Sequence, residues 1–282
     1  MFNALRSLLP LVLAFAGCAS SDPAAAPEPR AEGVPGLHIA TITRSEPRPL
    51  RIHHARIDLE EPRIELAVVA GADPDGDGPA ESSLRPPIEL AHHAGAVLLV
   101  NANAFAALDG GPFRSGKPAE VVGVAVVDGR TVSPAESGYA SFWMTEAGRV
   151  QLGRVDTVAG ARIAAAGFGL LLVEGESVRK PGGPRHPRTA LGVDATGRWL
   201  HLVVVDGRQL GVSEGVTVRE LAAIMAELGC HDAINLDGGG SSVMLASDGD
   251  GGYRRVNRPS GGYPLRVDVR PVPVGIAVRE RE

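Results

Sequence analysis

The chain has 282 residues, of which 44% are hydrophobic and 22% are charged, as in ordinary globular proteins. Its formal net charge is -5, and it has no basic stripe, which excludes a nucleic-acid-binding protein that depends on phosphate contacts. Glycine (36 residues) and proline (22 residues) are abundant, and this composition favours many short strands and tight turns over long helices.

The N-terminal residues read as an export signal followed by a tether. Arg6 precedes a short apolar run over 8–16, and the run ends in Gly17-Cys18, which resembles a bacterial lipobox with a lipidated cysteine. An ordinary cleaved signal is the alternative. We expect a lipoprotein-type signal peptide over 1–18, an Ala/Pro-rich tether over 19–36 and one domain over 37–282. The expected location is the bacterial cell envelope, with the protein exported and anchored in the membrane by lipid on Cys18.

Predicted strands dominate the chain from residue 37 onward. Alternating apolar residues predict a meander over 37–42, 52–59 and 64–69, and a short helix over 84–95 is expected to turn Ile88, Leu90 and Ala91 inward. A continuous apolar run then predicts a buried strand over 96–100. Further strands are expected over 121–127, 139–145, 150–153, 170–173, 190–193, 198–205, 232–236, 241–246 and 264–278.

The clearest unit of supersecondary structure lies over 198–237. A strand over 199–205 precedes a helix that starts with a Thr217/Glu220 capping box and ends near Gly229, and a second strand follows over 233–236. Such a crossover joins parallel strands whose carboxyl ends meet at one edge of the sheet, where ligand sites gather. The predicted fold class is therefore α/β (α+β), with a mixed β-sheet core, flanking helices and this C-terminal βαβ unit.

Polar residues cluster after the second strand of that unit. Asn235 and Asp237 share one face of the strand, and Gly238, Gly239 and Gly240 follow, then Ser241. Successive glycines let the backbone approach a ligand and can turn amide groups toward an anion. The alternative is a plain turn in which Asn and Asp bond their own backbone.

Two arginines offer bidentate donors for a phosphate or a carboxylate. Arg188 follows His186-Pro187, and Arg208 ends the first strand of the βαβ unit as part of Asp206-Gly207-Arg208. Each can also be a plain surface arginine. His186 alone fits a structural role better than a catalytic one.

Metal and thiol chemistry have weak support in the sequence. Residues 73–78 match the first half of a calcium loop, but Leu84 stands where the last carboxylate ligand belongs, so a solvated acidic turn is favoured. No cofactor is expected, while a structural divalent cation stays open as an alternative. Cys230 has no partner for a disulfide if Cys18 is lipidated, and it reads as a small buried residue.

Taken together, the ordered motifs resemble the phosphodiester glycosidase family. They cover about residues 165–270. In chain order they are Pro187-Arg188-Thr189-Ala190-Leu191-Gly192, Val205-Asp206-Gly207-Arg208, Ser213 with Gly215, Leu221-Ala222, the segment Asn235 to Ser242, Val256-Asn257-Arg258-Pro259-Ser260 and Arg266-Val267. In the N-terminal half, Asn101-Ala102-Asn103-Ala104-Phe105 departs from the family's Asn-Gly-Gly-Phe-Phe-like segment at Asn103 and Ala104, which leaves the substrate open.

The resemblance implies a β-rich α/β fold and hydrolysis of a sugar-1-phosphodiester of the N-acetylglucosamine type. Asp237 and Asp206 are the expected catalytic residues. The expected substrate- and phosphate-binding residues are Arg188, Thr189, Arg208, Asn101, Asn103, Asn235, Gly238, Gly239, Gly240, Ser241 and Asn257. In this hypothesis the arginines and the amides at 238–241 hold the phosphate, and Asn101 and Asn235 bind sugar hydroxyls. The expected partners are a sugar-phosphate glycan and, through the lipid anchor, a membrane.

Two rival functions fit the same residues. One is a non-catalytic glycan- or peptidoglycan-binding lipoprotein with the same fold. The other is an exported phosphodiesterase that cleaves the P–O bond instead of the sugar C–O bond. The sequence does not predict the oligomeric state, or whether the anomeric configuration is retained or inverted.

Overall fold

The computed structural model describes residues 33–76, 78–260 and 269–281. These residues form two α-helices, α1 (Pro87–Ala94) and α2 (Val218–Glu227), and twenty strands. The strands of the first half are β1 (Leu37–Arg44), β2 (Leu50–Asp58), β3 (Ile64–Ala70), β4 (Ser82–Ser83), β5 (Ala96–Asn101), β6 (Phe105–Ala107), β7 (Pro118–Val121), β8 (Ala125–Val127), β9 (Arg130–Ser133) and β10 (Ala140–Thr145). Those of the second half are β11 (Val150–Gly153), β12 (Ala161–Gly167), β13 (Gly169–Val173), β14 (Glu176–Ser177), β15 (Arg188–Val193), β16 (Trp199–Val205), β17 (Asp232–Asn235), β18 (Met244–Ser247), β19 (Tyr253–Arg255) and β20 (Val274–Glu280).

The strands form four sheets. The first sheet has seven strands in the order β1-β2-β16-β15-β17-β13-β14. A second sheet (β19-β18-β5-β20-β3) and a third sheet (β11-β10-β12-β8-β9) have five strands each, and a small fourth sheet is β4-β7-β6. All strand pairings in the described chain are antiparallel.

The main hydrophobic core lies between the inner faces of the three larger sheets. Alternate residues of the first sheet, such as Leu191, Leu202 and Ile234, contribute to it together with apolar residues of the other two sheets. The opposite, outer face of the first sheet packs against α2 in a second core. The first sheet therefore has a buried inner face and an outer face that α2 covers only in part.

Helix α2 forms as the sequence predicts. The Thr217 hydroxyl accepts from the Glu220 amide, and the Glu220 carboxylate accepts from the Thr217 amide, which completes the capping box. Leu221 and Met225 are buried against the first sheet, and each large apolar side chain buried in this way contributes about 1.5–3 kcal/mol. The helix ends at Glu227, and Gly229 follows with a positive φ of 92°.

The predicted fold class, a β-sheet core with flanking helices, is confirmed. Strands β16 and β17 run in the same direction, since both are antiparallel to β15, and their carboxyl ends do share one edge of the sheet. They are not neighbours, however, because β15 lies between them. The predicted parallel direction of these two strands and the juxtaposition of their ends are therefore confirmed, with β15 inserted between them.

Two local expectations are wrong. The predicted meander breaks after its second strand, because β3 leaves the first sheet and pairs with the C-terminal strand β20 in the second. Ile88 is 43% exposed, whereas Leu90 and Ala91 face inward as predicted. Cys230 is a buried free thiol, as expected. Cys18 and residues 264–268 of the predicted last strand lie outside the described residues.

Candidate active site

The candidate site lies where β15 begins and β17 ends, on the outer face of the first sheet. Ala190 pairs with Asn235, so two residues further along this antiparallel register Arg188 comes beside Asp237. Asn235 and Asp237 point to the same face because they are alternate residues of one extended segment. The sheet edge thus places Arg188 and Asp237 side by side in the register, and the Arg188 guanidinium donates to the carbonyls of Val216 and Pro184.

Asp237 is closely surrounded by protein at this edge but is partly exposed as a residue, and we call this position the recess. Its Oδ1 accepts from the Gly238 amide at 2.9 Å. Burial by the surrounding protein raises the pKa of Asp237, while bonds from Ser241 and Gly238 and the charge of Arg270 oppose the rise. The result is a carboxyl group with a raised pKa that can still be reached from solvent.

Three arginines each pass over one of the three consecutive glycines. A β-carbon at Gly238 would lie 3.7 Å from Cδ of Arg188, and one at Gly239 would lie 3.1 Å from Nη2 of Arg208. One at Gly240 would lie only 2.5 Å from Nη2 of Arg270. The glycine run therefore leaves room beside Asp237 for the guanidinium groups of Arg208 and Arg270 and for the aliphatic part of Arg188.

The charges of these arginines are not neutralised locally. In the part of the chain that the structure describes, no carboxylate forms a salt bridge with Arg188, Arg208 or Arg270. Burial and the positive charge of Arg208 lower the pKa of Arg188, and burial lowers that of Arg270. Guanidinium groups that converge without a carboxylate partner, two of them partly buried, form a favourable place for an anion.

Arg208 and His186 meet at the rim of the recess. Arg208 is exposed and has a φ of 60°, a left-handed conformation that is costly for a residue with a β-carbon. Its Nη2 lies 3.4 Å from Nδ1 of His186. Burial, followed by the charges of Arg208 and Arg188, lowers the pKa of His186, which favours the neutral imidazole.

Asp206 lies on the other side of the sheet. It follows Val205, whose side chain is in the outer core, so alternation turns Asp206 toward the inner face. Asp206 is 1% exposed; its carboxylate accepts from Asn257 Nδ2 and the Arg258 amide, each at 3.1 Å, and lies 3.1 Å from His53 Nε2. The predicted pair of aspartates is therefore not brought together around one recess.

Asn101 and Thr189 also belong to a buried polar network beneath the site. The Thr189 hydroxyl donates to Asn101 Oδ1 at 2.8 Å, which also accepts from the Val243 amide. Asn101 Nδ2 donates to the carbonyl of Asp237 at 2.8 Å. Both side chains are buried, so their contacts hold the segment that carries Asp237 in place.

The remaining predicted asparagines occupy three different surroundings. Asn103 is buried and donates to the carbonyls of Val122 and Val124, while its Oδ1 has no hydrogen-bond partner in the described residues. Asn257 bridges Asp206 to the amide of Met244. Asn235 is 3% exposed, and its Oδ1 has no hydrogen-bond partner in the described residues.

The backbone amides of the glycine run are mostly used within the protein. Those of Gly238, Gly239 and Ser241 donate to Asp237 Oδ1, to the carbonyl of Pro187 and to the carbonyl of Gly238, respectively. Ser241 is buried, and its hydroxyl also bonds to the Asp237 carboxyl group. Arginine side chains are consequently the principal hydrogen-bond donors that this site offers to an anion.

The sequence reasoning missed Arg270. Its guanidinium packs between Gly240 and the ring of Phe113, with Cζ 4.6 Å from the ring centroid, and its Nη1 is 3.5 Å from Ser241 Oγ. The one signal in the sequence is a charged residue within a predicted strand. The sequence favours a structural role for His186, whereas the structure places its Nδ1 3.4 Å from Nη2 of Arg208 at the rim.

Metal ligands are not grouped in the described parts of the chain. Nowhere among residues 33–76, 78–260 and 269–281 do three or more His, Cys, Asp or Glu side chains cluster in a way that could hold a metal ion. In these same ranges, neither helix is both long and apolar enough to span a membrane.

The fold and this site define a β-rich protein with an arginine-lined recess around one carboxyl group. A family model described as phosphodiester glycosidase matches residues 102–279, more than half of the chain. The chain therefore belongs to the phosphodiester glycosidase family, which indicates a glycosidase-type hydrolase with a glycan-phosphate substrate. The resemblance inferred from the sequence motifs is confirmed.

Solved structures with the same fold include two with high coverage. The catalytic domain of zebrafish N-acetylglucosamine-1-phosphodiester alpha-N-acetylglucosaminidase, auto-inhibited by its pro-peptide, is 20% identical with a TM-score of 0.66, and the match covers 90% of this chain and 87% of that one. A hypothetical protein from Synechocystis is 15% identical with a TM-score of 0.63, covering 87% and 62%. At these identities the two matches show the fold.

A sequence relative is the uncharacterised protein YomE, derived from the SPbeta prophage of Bacillus subtilis (strain 168). It is 43% identical over 58 residues. That match spans 21% of this chain and 9% of YomE, so the similarity is confined to a small part of either protein.

Proposed function

We propose that this protein hydrolyses a sugar-1-phosphodiester of the N-acetylglucosamine type on cell-envelope or extracellular glycans. We also propose that it is exported and held at the bacterial envelope by a lipid on Cys18. The observation that carries the catalytic proposal is the placement of Arg188, Arg208 and Arg270 over three consecutive glycines beside the partly exposed Asp237.

The arginines and Asp237 have complementary tasks in this reaction. The guanidinium groups bind the phosphate and stabilise the negative charge that it gains as the sugar C–O bond breaks. The released phosphate monoester is a good leaving group, so the reaction does not require a second carboxyl group as a strong acid. Asp237, in its ionised form, acts on water or stabilises the positive charge that develops on the sugar ring.

Asp206 and the asparagines beneath the site then serve as positioning residues. Asp206 holds Asn257 and the Arg258 amide, and Asn101 holds the carbonyl of Asp237. Asn235 keeps the proposed role of binding a sugar hydroxyl, because its buried Oδ1 has no partner among the described residues and lies on the same strand face as Asp237.

Replacement of Asp237 tests the proposal. With the methyl phosphodiester of N-acetylglucosamine 1-phosphate as substrate, Asp237→Asn should lower kcat/KM by about 100-fold to 10,000-fold, since a positioned acid or base contributes about this much. Release of free N-acetylglucosamine is the measurement. Asp250→Asn, at an exposed hairpin tip, is the matched control and should leave the rate unchanged.

The thermal stability of Asp237→Asn shows whether a loss of turnover comes from the site itself or from loss of the folded structure. The folded-state pKa of Asp237 is raised, so the ionised side chain destabilises the folded protein at pH values above that pKa. This destabilisation is absent below the unfolded-state pKa, where the side chain is protonated in both states. Asp237→Asn should therefore melt no lower than the wild type at pH 7. Near-normal turnover by a folded variant would refute the role of Asp237, and absence of turnover by the wild type would favour the glycan-binding alternative.

A further inference from the structure

Two more arginines converge on the first sheet next to Asn235. Gly169 of β13 pairs with Asn235 of β17, so both point to the same face of the sheet. The space where a Gly169 side chain would project is occupied by the guanidinium of Arg179, and Nη2 of Arg154 lies 3.4 Å from the same point. Because residue 169 is a glycine, the positively charged side chains of Arg154 and Arg179 can both lie beside the buried Asn235.

These two arginines have no counter-charge in the described chain. Arg154 donates to the backbone carbonyls of Ser137 and Gly138 and forms no salt bridge in the described ranges. Arg179 is half-buried, and its Nε has no hydrogen-bond partner in this part of the molecule. Burial and the charge of Arg154 lower the pKa of Arg179. A bound anion would relieve both the repulsion and the missing hydrogen bonds.

The pair is separate from the arginines around Asp237 but lies on the same face. Asn235 and Asp237 are two residues apart on an extended segment, which corresponds to about 7 Å. The arginine pair flanks Asn235, whereas Arg188 flanks Asp237. Asn235 pairs with Gly169 on one side and with Ala190 on the other, and its buried Oδ1 has no hydrogen-bond partner in the described residues, so it is an acceptor that a sugar hydroxyl could use.

We propose that Arg154 and Arg179 form a second anion subsite, which binds a second phosphate group of the same glycan while the first phosphate lies beside Asp237. This proposal rests on the proposed function, and it narrows the substrate class. The preferred substrate is a glycan with phosphate groups on both sides of a sugar unit, such as a chain of repeated sugar-phosphate units, instead of an isolated phosphodiester.

Binding of simple phosphate esters tests this subsite without relying on turnover. Two bound phosphates on one flexible linker bind more tightly than one, because the second contact becomes intramolecular. The probes for calorimetry are propyl phosphate and a series of alkanediol bisphosphates with linkers of about three to eight carbons. Wild-type protein should bind the tightest-binding bisphosphate of the series at least about 10-fold more tightly than propyl phosphate. The double variant Arg154→Gln/Arg179→Gln should lose this gain and bind propyl phosphate as the wild type does.

Two controls separate this inference from the proposed function. Arg149→Gln removes an exposed arginine of the nearby hairpin and should keep the full gain. Arg188→Gln should weaken binding of propyl phosphate itself, and unchanged affinity there would count against the proposed function. A wild type that binds both probes equally, or a double variant that keeps the gain, would overturn the second subsite.

Discussion

The charge of Arg270 and the protonation of Asp237 are coupled in the recess. Arg270 is fixed on one side by the bare backbone of Gly240 and on the other by Phe113, and its positive charge opposes the rise in the pKa of Asp237 that burial causes. A shift of one pKa unit corresponds to about 1.4 kcal/mol between the two protonation states. Small changes around Asp237 should therefore be visible in the pH dependence of turnover.

Removal of the Arg270 charge should shift the pH dependence of kcat/KM in a definite direction. If ionised Asp237 is the active form, kcat/KM rises with pH through its pKa. Arg270→Gln removes an effect that lowers this pKa, so the acid limb of the kcat/KM profile should move to higher pH. Arg270→Lys keeps the charge and should move the limb less, and Arg149→Gln should leave it in place. A profile of Arg270→Gln with an unmoved or lowered acid limb would show that Arg270 does not act through Asp237.

Some site residues were predictable from their neighbours in sequence, and others were not. Asp237 and the glycine run are adjacent in the chain, and period-two alternation places Asp237 with Asn235, so the sequence alone locates the centre of the site. The same alternation could have separated Asp206 from Asp237, because Val205 of the same strand packs against α2. Arg270 comes from a distant segment, and its approach to Gly240 depends on tertiary packing that no local pattern records.

At the scale of elements, strong periodic patterns were enough to find α2 and most strands, whereas pairing partners were not predictable. The capping box defined where α2 begins, and the glycine after it defined the end. Strand β12 was missed because its sequence is mostly alanine, which has a low strand propensity, and burial between sheets outweighs this propensity. The insertion of β15 between β16 and β17 is likewise set by long-range pairing.

The antiparallel arrangement of these three strands has a direct consequence for the site. Because β15 runs opposite to its neighbours, the start of β15 lies beside the ends of β16 and β17, with Arg188 paired to Val205 and Ala190 paired to Asn235. Arg188 begins β15, whereas Arg208 and Asp237 lie in the segments that follow β16 and β17. The antiparallel arrangement therefore brings the three residues to one edge of the sheet. A sheet with β16 and β17 as direct neighbours would leave no place for Arg188 between them.

For the molecule as a whole, the formal charge is -5. In contrast, the arginines near Asp237 and Asn235 have no carboxylate salt-bridge partner in the described residues. A positive recess on an acidic protein attracts small or chain-like anions locally without a general affinity for polyanions. A lipid anchor followed by a tether over 19–36 would keep this recess close to envelope glycans, which agrees with the proposed substrate class.

The proposed lipid anchor is tested in the bacterial host. Wild-type protein should be found with membranes and become soluble only in detergent, since several acyl chains give stable anchoring. Cys18→Ser should prevent lipidation and release most of the protein from the membrane fraction. Cys230→Ser is the matched control, because its thiol is buried in the folded domain. Equal membrane association of the wild type and Cys18→Ser would refute the anchor.

The most direct test of the central claim is the position of bond cleavage. Hydrolysis of an N-acetylglucosamine-1-phosphodiester in water enriched in oxygen-18, followed by mass spectrometry of both products, identifies the atom that water attacks. Attack at the sugar carbon beside Asp237, with the phosphate held by the arginines, places the label on the sugar. A label on the phosphate would contradict this account and identify the protein as a phosphodiesterase that cleaves the P–O bond.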